Sequence, residues 1–337
     1  MRTDIYEILD TVCDSPCKSV LATIIDVQGS AYKKEGSTML FQKDGQQVGL
    51  LSGGCLEQDL FARVNDFLNE LTSMIVTYDL SAEDDLSWGQ GVGCNGIIKV
   101  VVESITPMFR EDLRKVRNLV NRGVDVTHIK KISTKDKVIG YLFCTEEGGF
   151  FGQWKGDLPA NHQLEEKTLL LQSDQEVSLF KQTIVARPRL IIYGAGADAI
   201  PLANLAHHTG FQVIVADWRP AYCNEKHFPY AYKTYIASPN EFVQSFSFSP
   251  SDSTIIMTHN YEKDNQLIQS LLAKKISYLG LLGSKARAEK LLKGVSIPEW
   301  FHFPVGLSIG AEGPQEIAVS IIAELIQNKT RRVAFVR

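Results

Sequence analysis

The chain has 337 residues, 44% of them hydrophobic, and a net charge of −4 from 35 Lys and Arg against 39 Asp and Glu. At about 150 residues per domain this length predicts two domains, each with enough apolar material for its own core. The acidic balance gives no electrostatic reason to expect nucleic acid or an anionic membrane as partner, no apolar run approaches the ~18 residues of a membrane span, and Met1–Asp10 carries acids where a signal peptide needs an apolar core.

These features together predict a soluble, cytoplasmic protein. In that compartment the six cysteines, at 13, 17, 55, 94, 144 and 223, should be free thiols, being too sparse for a disulfide framework. Cys13 and Cys17 flank Pro16, but no second pair follows at zinc-site spacing, which argues against a structural zinc.

Thr3 can cap a first helix through about Cys13, with Ile5, Ile8, Leu9 and Val12 on one face and Pro16 beyond its end. The β-branched run Ser19–Val27 predicts a buried strand. A polar, glycine-punctuated loop, residues 28–37, precedes a short strand at Thr38–Phe41. Lys43–Gln46 has the character of a hairpin turn, and Gln47–Leu51 returns as a strand. That strand delivers the chain to Ser52-Gly53-Gly54-Cys55. Leu56, Leu60, Val64, Phe67 and Leu68 then recur at near-helical spacing, so 55–69 reads as an amphipathic helix with Ser52 or a glycine near its cap. Cys55 falls in the first turn, where unpaired N–H groups and the helix dipole favour a thiolate, a nucleophile or metal ligand. Packing alone would also place a small cysteine there.

Thr72–Tyr78 predicts the next strand. A second unusual loop follows, Trp88-Gly89-Gln90-Gly91-Val92-Gly93-Cys94-Asn95-Gly96, in which glycines clear side chains from the backbone so that its N–H groups can approach an anion. Ile97–Val102 is a strong strand beyond it. Phe109–Asn121 has a helical pattern, and Val124–Ile132, Val138–Cys144 and Gly149–Gln153 read as strands. These complete an α+β domain over 1–154. The polar stretch from Trp154 marks a connecting segment within 155–188, containing a helix at 162–172 and a strand at 176–184.

The second domain, 189–337, opens with the strand Leu190–Tyr193 running directly into Gly194-Ala195-Gly196-Ala197-Asp198-Ala199. A helix through His208, the strand Phe211–Ala216 and Asp217 follow. Strand, Gly-x-Gly-x-x-Ala, helix, strand and acid, with Asp217 lying 23 residues after Gly194, describe a dinucleotide-binding βαβ unit. The glycines permit close pyrophosphate approach, the helix N-terminus supplies positive potential, and Asp217 is placed for ribose hydroxyls. Strands at 234–236, 254–258, 278–282 and 301–305 alternate with helices at 241–246, 264–274, 285–292 and 314–328. The fold class expected is therefore α/β overall: an α+β domain, then a Rossmann-like doubly wound parallel sheet. Thr258-His259-Asn260, Gly283-Ser284-Lys285 and Gly310-Ala311-Glu312-Gly313 should rim the crevice beyond the strand ends. Each of these segments could instead be a plain helix cap, and Ser284 and Pro314 suit capping and first-turn roles well, so function is only slightly preferred there.

The two halves together resemble the XdhC/CoxI family, accessory proteins for maturing molybdenum hydroxylases such as xanthine dehydrogenase. The resemblance covers nearly the whole chain. In the N-terminal half it rests on Gly29-Ser30, Gly36, Met39-Leu40, Ser52-Gly53-Gly54-Cys55-Leu56-Glu57 and Gly91-Val92-Gly93-Cys94-Asn95-Gly96. In the C-terminal half it rests on Gly194-Ala195-Gly196, Pro201-Leu202-Ala203, Asp217 with Arg219, Phe228-Pro229, Gly280-Leu281-Leu282-Gly283-Ser284 and Ile309-Gly310-Ala311-Glu312. The resemblance implies binding of the molybdenum cofactor (molybdopterin), protection of its sulfurated form and handover to an apo-hydroxylase. It makes a xanthine dehydrogenase-like polypeptide the expected partner, a cysteine desulfurase a further candidate, and a homo-oligomer the expected assembly. The cofactor-binding candidates are Gly53, Gly54, Cys55, Gly91, Gly93 and Cys94, together with Gly194, Gly196, Asp217, Gly283 and Ser284. Cys55 and Cys94 are the metal candidates, since a soft thiolate suits molybdenum. Two departures stand out: Tyr32-Lys33-Lys34 replaces a common Pro-Arg, substituting a point charge for a bidentate one, and Asn95 replaces a common glycine.

Two other classes fit the residues. An NAD(P)-dependent oxidoreductase would use the Gly194 loop, although no Tyr-x3-Lys or His/Asp dehydrogenase signature is evident. A docking adaptor would hold no cofactor. The chain has no iron–sulfur cysteine pattern to support purine oxidation by itself.

Overall fold

The β-branched run after Pro16 becomes the strand on which the first half of the molecule is built. The computed structural model describes residues 2–70, 73–80, 96–156, 168–173, 177–293 and 296–335, and the chain divides into two units, Met1–Ala186 and Arg187–Arg337. In the first, helix α1 (Arg2–Asp14) precedes β1 (Ser19–Gly29), β2 (Thr38–Gln42), β3 (Gln47–Gly49), helix α2 (Cys55–Glu70), β4 (Ser73–Asp79) and β5 (Gly96–Ser104). These strands form one sheet in the order β3-β2-β1-β5-β4. The first seven residues of β1 are buried, and its side chains alternate between two cores. Val20, Ala22 and Ile24 meet the predicted stripe of α2, in which Leu56, Leu60, Val64, Phe67 and Leu68 are all buried. Each such side chain contributes roughly 1.5–3 kcal/mol. Leu21 points the other way, toward Leu9 and Val12 of α1 and Phe109, Leu113 and Val116 of helix α3 (Pro107–Asn121).

Two polar devices fix these helices. Thr106 caps α3 by accepting from the Phe109 N–H at 3.2 Å, with Pro107 at the first turn. Arg110 donates to the carbonyls of Val12, Ser15 (2.7 Å) and Cys17 (2.6 Å). One guanidinium thus satisfies the exposed carbonyl end of α1 and the turn around Pro16.

A second sheet completes this unit: β6 (Val126–Ser133), β7 (Val138–Cys144), β8 (Phe150–Gln153), β9 (Thr168–Ser173) and β10 (Val177–Ile184), ordered β8-β7-β6-β10-β9. Here the structure differs from the sequence expectation. Residues 168–173, all but the last expected within a helix, pair antiparallel with β10, and β10 pairs with β6. A six-residue stretch with three leucines carries too little periodicity to separate helix from strand, and an available sheet edge decides it. The segment expected as a connection thereby supplies two strands of this sheet. Between the sheets lies an ion pair, Lys130 of β6 with Glu103 of β5, their side chains only 1% and 8% exposed. Burial pushes the Lys130 ammonium down to about 7, and the adjoining carboxylate opposes that.

The second unit is a parallel sheet of six strands: β11 (Arg189–Tyr193), β12 (Gln212–Asp217), β13 (Lys233–Ile236), β14 (Ser253–Ile256), β15 (Tyr278–Leu281) and β16 (Phe301–His302). Its order is β13-β12-β11-β14-β15-β16, so the direction of progression reverses between β11 and β14. Helices α4 (Ala199–His208), α5 (Pro239–Ser245), α6 (Tyr261–Leu272), α7 (Lys285–Leu291) and α8 (Gly313–Phe335) cover it. Leu190 and Ile192 face α4 and α8, while Ile191 and Tyr193 face α5, α6 and α7. This is the doubly wound sheet the sequence predicts. The last strand stops at His302 rather than 305 because Pro304 has no N–H to give a ladder. Among the described residues no helix is long and apolar enough to cross a membrane.

The buried pair between the sheets yields a direct expectation. Lys130→Ala leaves Glu103 charged and unpaired, and should cost about 3–5 kcal/mol. The double variant Lys130→Met/Glu103→Leu, which removes both charges, should recover most of that loss in urea denaturation.

Candidate functional site

Strand direction gathers the N-terminal motifs. β1, β3 and β4 run one way and β2 and β5 the other, so segments 30–37, 50–54 and 80–95 all join the sheet at one end. Residues 81–95, with Gly91, Gly93, Cys94 and Asn95, lie outside the described residues. The strands flanking them are fixed: the Leu80 N–H donates to the Gly96 carbonyl at 3.0 Å, and Gly96 is in register with Gly29. A Cβ on Gly96 would sit 2.5 Å from the Gln28 carbonyl and 2.8 Å from that of Ser30. Only glycine lets the start of β5 lie against the Gly29-Ser30 turn.

The turn before Cys55 is closed by Glu57. Its carboxylate accepts from the N–H of Leu51 (2.9 Å), Ser52 (2.6 Å) and Gly54 (3.2 Å) and from the Ser52 hydroxyl. The Ser52 oxygen in turn accepts from Gly54 and Leu56 N–H groups. The arrangement is a form of capping box. Burial works to raise the Glu57 pKa, but the hydrogen bonds from Ser52 and Leu51 prevail and hold it below its ordinary value. Gly54 has φ +125° with open space around its missing Cβ, so backbone conformation rather than room requires glycine. Gly53 is exposed and Cys55 is the first residue of α2. One turn on, Asp59 accepts from the Tyr78 hydroxyl at 2.7 Å and pairs with Arg63 at 2.9 Å, tying α2 to β4.

In the C-terminal unit the site candidates cluster at the switch point of the sheet. Gly194 has φ +117°, and a Cβ there would lie 2.4 Å from the Met257 carbonyl; glycine lets the loop after β11 rest on the end of β14. On the β12 side Asp217, fully buried, accepts from the Ala195 N–H at 2.7 Å and the Arg219 N–H at 2.8 Å. It also receives the Arg219 guanidinium at 2.9 and 2.8 Å. Burial works to raise its pKa, and these hydrogen bonds outweigh it. Both oxygens are therefore engaged inside the unit, where the sequence places them on ribose hydroxyls. On the β14 side His259, at φ +57°, brings Nε2 to 2.6 Å from Asp198 Oδ2. Gly196 leaves room for that acid, since a Cβ would come within 2.7 Å of Asp198 Oδ1. Gly283, with φ +144°, precedes Ser284, whose hydroxyl caps α7 by accepting from the Arg287 N–H at 3.3 Å. Asn260 caps α6 in the same way, accepting from Lys263 at 3.0 Å.

Comparison with known proteins follows these boundaries. Residues 14–79 match the model of the XdhC and CoxI family, 107–185 the BH1974-like central domain, and 190–325 the XdhC Rossmann domain. Over 332 residues, 98% of this chain and 99% of the relative, the sequence is 47% identical to a Bacillus subtilis protein named as a probable xanthine dehydrogenase subunit. The chain belongs to the XdhC and CoxI family. A Bacillus halodurans crystal structure described as a xanthine dehydrogenase is similar at TM-score 0.85 and 43% identity, covering 98% of this chain and 96% of that one. The Escherichia coli molybdenum cofactor insertion chaperone PaoD is 24% identical, over 91% of this chain and 82% of its own. The central-domain match begins at the first residue of α3 and runs just past the end of β10, so it takes in α3 and the second sheet.

Sequence reasoning missed the partners rather than the motifs. Glu57 stood inside a quoted motif without a role, although an acid three residues after the helix cap is a readable capping signal. The Asp198–His259 pair spans 61 positions, and no local pattern announces it. Ser284 proves to be a cap, one of its two expected roles.

Because the Glu57 carboxyl is held below its ordinary value of 4.5, its contribution to stability is complete above that pH. It is lost as pH falls through the lower folded value. Glu57→Ala, which strands buried N–H groups, should cost about 1–3 kcal/mol at pH 7. Glu57→Gln should flatten the acid limb of a stability–pH curve measured by urea denaturation.

Proposed function

We propose that this chain is an accessory factor that binds the molybdenum cofactor and delivers it to a molybdenum hydroxylase, with Cys55 at the metal. The observation that carries the reading is the turn closed by Glu57. It fixes a cysteine as the first residue of α2, at the sheet end where segment 30–37 also joins and where β4 ends and β5 begins. The name of PaoD, a molybdenum cofactor insertion chaperone, points the same way.

The donor set suits the cofactor. A thiol at a helix start is a soft ligand in positive potential, and exposed Gly53 puts no side chain in the way. The N–H groups of Leu51, Ser52 and Gly54 already serve Glu57, so the start of α2 is not the place for the pterin phosphate. Exposed Lys34, at the same sheet end, offers a point charge for it, and Cys94 is the second thiol of the reading. Bound there, the cofactor's sulfurated form is shielded until handover, with a cysteine desulfurase as the sulfur source. The xanthine dehydrogenase names of relatives then mark association with the hydroxylase that receives the cofactor.

The test is metal retention. Protein incubated with molybdenum cofactor and desalted should keep molybdenum by elemental mass spectrometry, and Cys55→Ala should weaken retention at least ~10-fold. Equal retention by Cys55→Ala and Cys94→Ala would remove the thiols from the site.

A further inference from the structure

The residue closing β12 in a dinucleotide-binding sheet decides which ribose the crevice accepts: a free acid there bonds the 2′-hydroxyl of NAD, and an arginine nearby receives the 2′-phosphate of NADP. In this chain the acid is withdrawn. Asp217 is fully buried, and its two oxygens accept from the N–H groups of Ala195 and Arg219 and from the Arg219 side chain. What stands at the crevice edge is the arginine. Nε and one terminal nitrogen of Arg219 hold Asp217, leaving the second terminal nitrogen without a hydrogen bond among the described residues. The guanidinium carbon lies 4.5 Å from the Trp218 ring centre and 4.3 Å from that of Tyr222, so two rings as well as Asp217 hold it in place, with the side chain 34% exposed.

The neighbouring loop fits the remainder of a dinucleotide. Gly194 brings the backbone onto the end of β14, Ala195 is anchored to Asp217, and the sheet order reverses there. A pyrophosphate over this loop would direct the adenosine ribose toward the end of β12.

We propose that the C-terminal unit binds a nucleotide carrying a ribose 2′-phosphate, of the NADP(H) class, with Arg219 as the contact to that phosphate. The inference is independent of cofactor binding at Cys55. A phosphomonoester is common to the 2′-phosphate and to the pterin phosphate of the molybdenum cofactor, and the experiment separates the two.

Purified full-length protein is titrated with NADPH and NADH by nucleotide fluorescence, with 2′,5′-ADP and inorganic phosphate as competitors. NADPH should bind at least ~10-fold more tightly than NADH, about 1.4 kcal/mol. 2′,5′-ADP should compete where inorganic phosphate at equal concentration does not. Arg219→Ala alone would orphan a buried carboxylate, so the variant is Asp217→Asn/Arg219→Gln, checked for fold by circular dichroism. It should reduce the NADPH-to-NADH preference to near unity and leave molybdenum retention unchanged. Equal binding of the two nucleotides, or binding of neither, overturns the proposal. So does a double variant that loses molybdenum cofactor while wild type shows no preference for NADPH, which would assign Arg219 to the pterin phosphate.

Discussion

A buried carboxylate that accepts the N–H groups of a glycine turn is the constraint on which the N-terminal motif depends. Without Glu57, the Gly53-Gly54 turn would have the freedom of two glycines and a helix start with unsatisfied donors. With it, the turn takes one shape and Cys55 has one place in the fold. The same acid uses the donors that a bound phosphate would otherwise use. It therefore narrows what the turn itself can do, since these donors are no longer open to a bound anion.

The C-terminal unit repeats the device. Asp217 accepts from the Gly194–Gly196 loop and from Arg219, and is itself sealed from solvent. In each unit a buried acid within the motif is an internal brace that fixes the place of a neighbour. Glu57 fixes the backbone that leads into Cys55, and Asp217 fixes the guanidinium of Arg219. Glycine has a matching role in both: Gly96 and Gly194 admit backbone where any side chain would collide within 2.5 Å of a carbonyl oxygen.

The sequence carried the fold well where periodicity was long. The α2 stripe from Leu56 to Leu68 and the alternation from β11 to α8 were legible because burial on one face or both faces leaves a repeating pattern. The division of the first half into two sheets was not, because short strands such as Thr168–Ser173 owe their form to a neighbour outside their own pattern. At the site, glycines and cysteines were legible as types. Their supports were not: the Asp198–His259 contact and the clasp between Asp217 and Arg219 are products of three-dimensional placement. The hydrogen bonds of Asp217 to Ala195 and Arg219 were not legible, because a motif records residue identity and spacing but not which way a carboxylate turns.

In the proposed function, molybdenum is held at the end of the first sheet, beside the start of α2. A crystal of the protein soaked with molybdenum cofactor, with diffraction recorded at the molybdenum absorption edge, tests it by locating the metal. One anomalous peak is expected within bonding distance of the Cys55 sulfur. A peak over the Gly194–Asp198 loop with none near Cys55, or no ordered molybdenum in crystals of protein shown to retain it in solution, would contradict it.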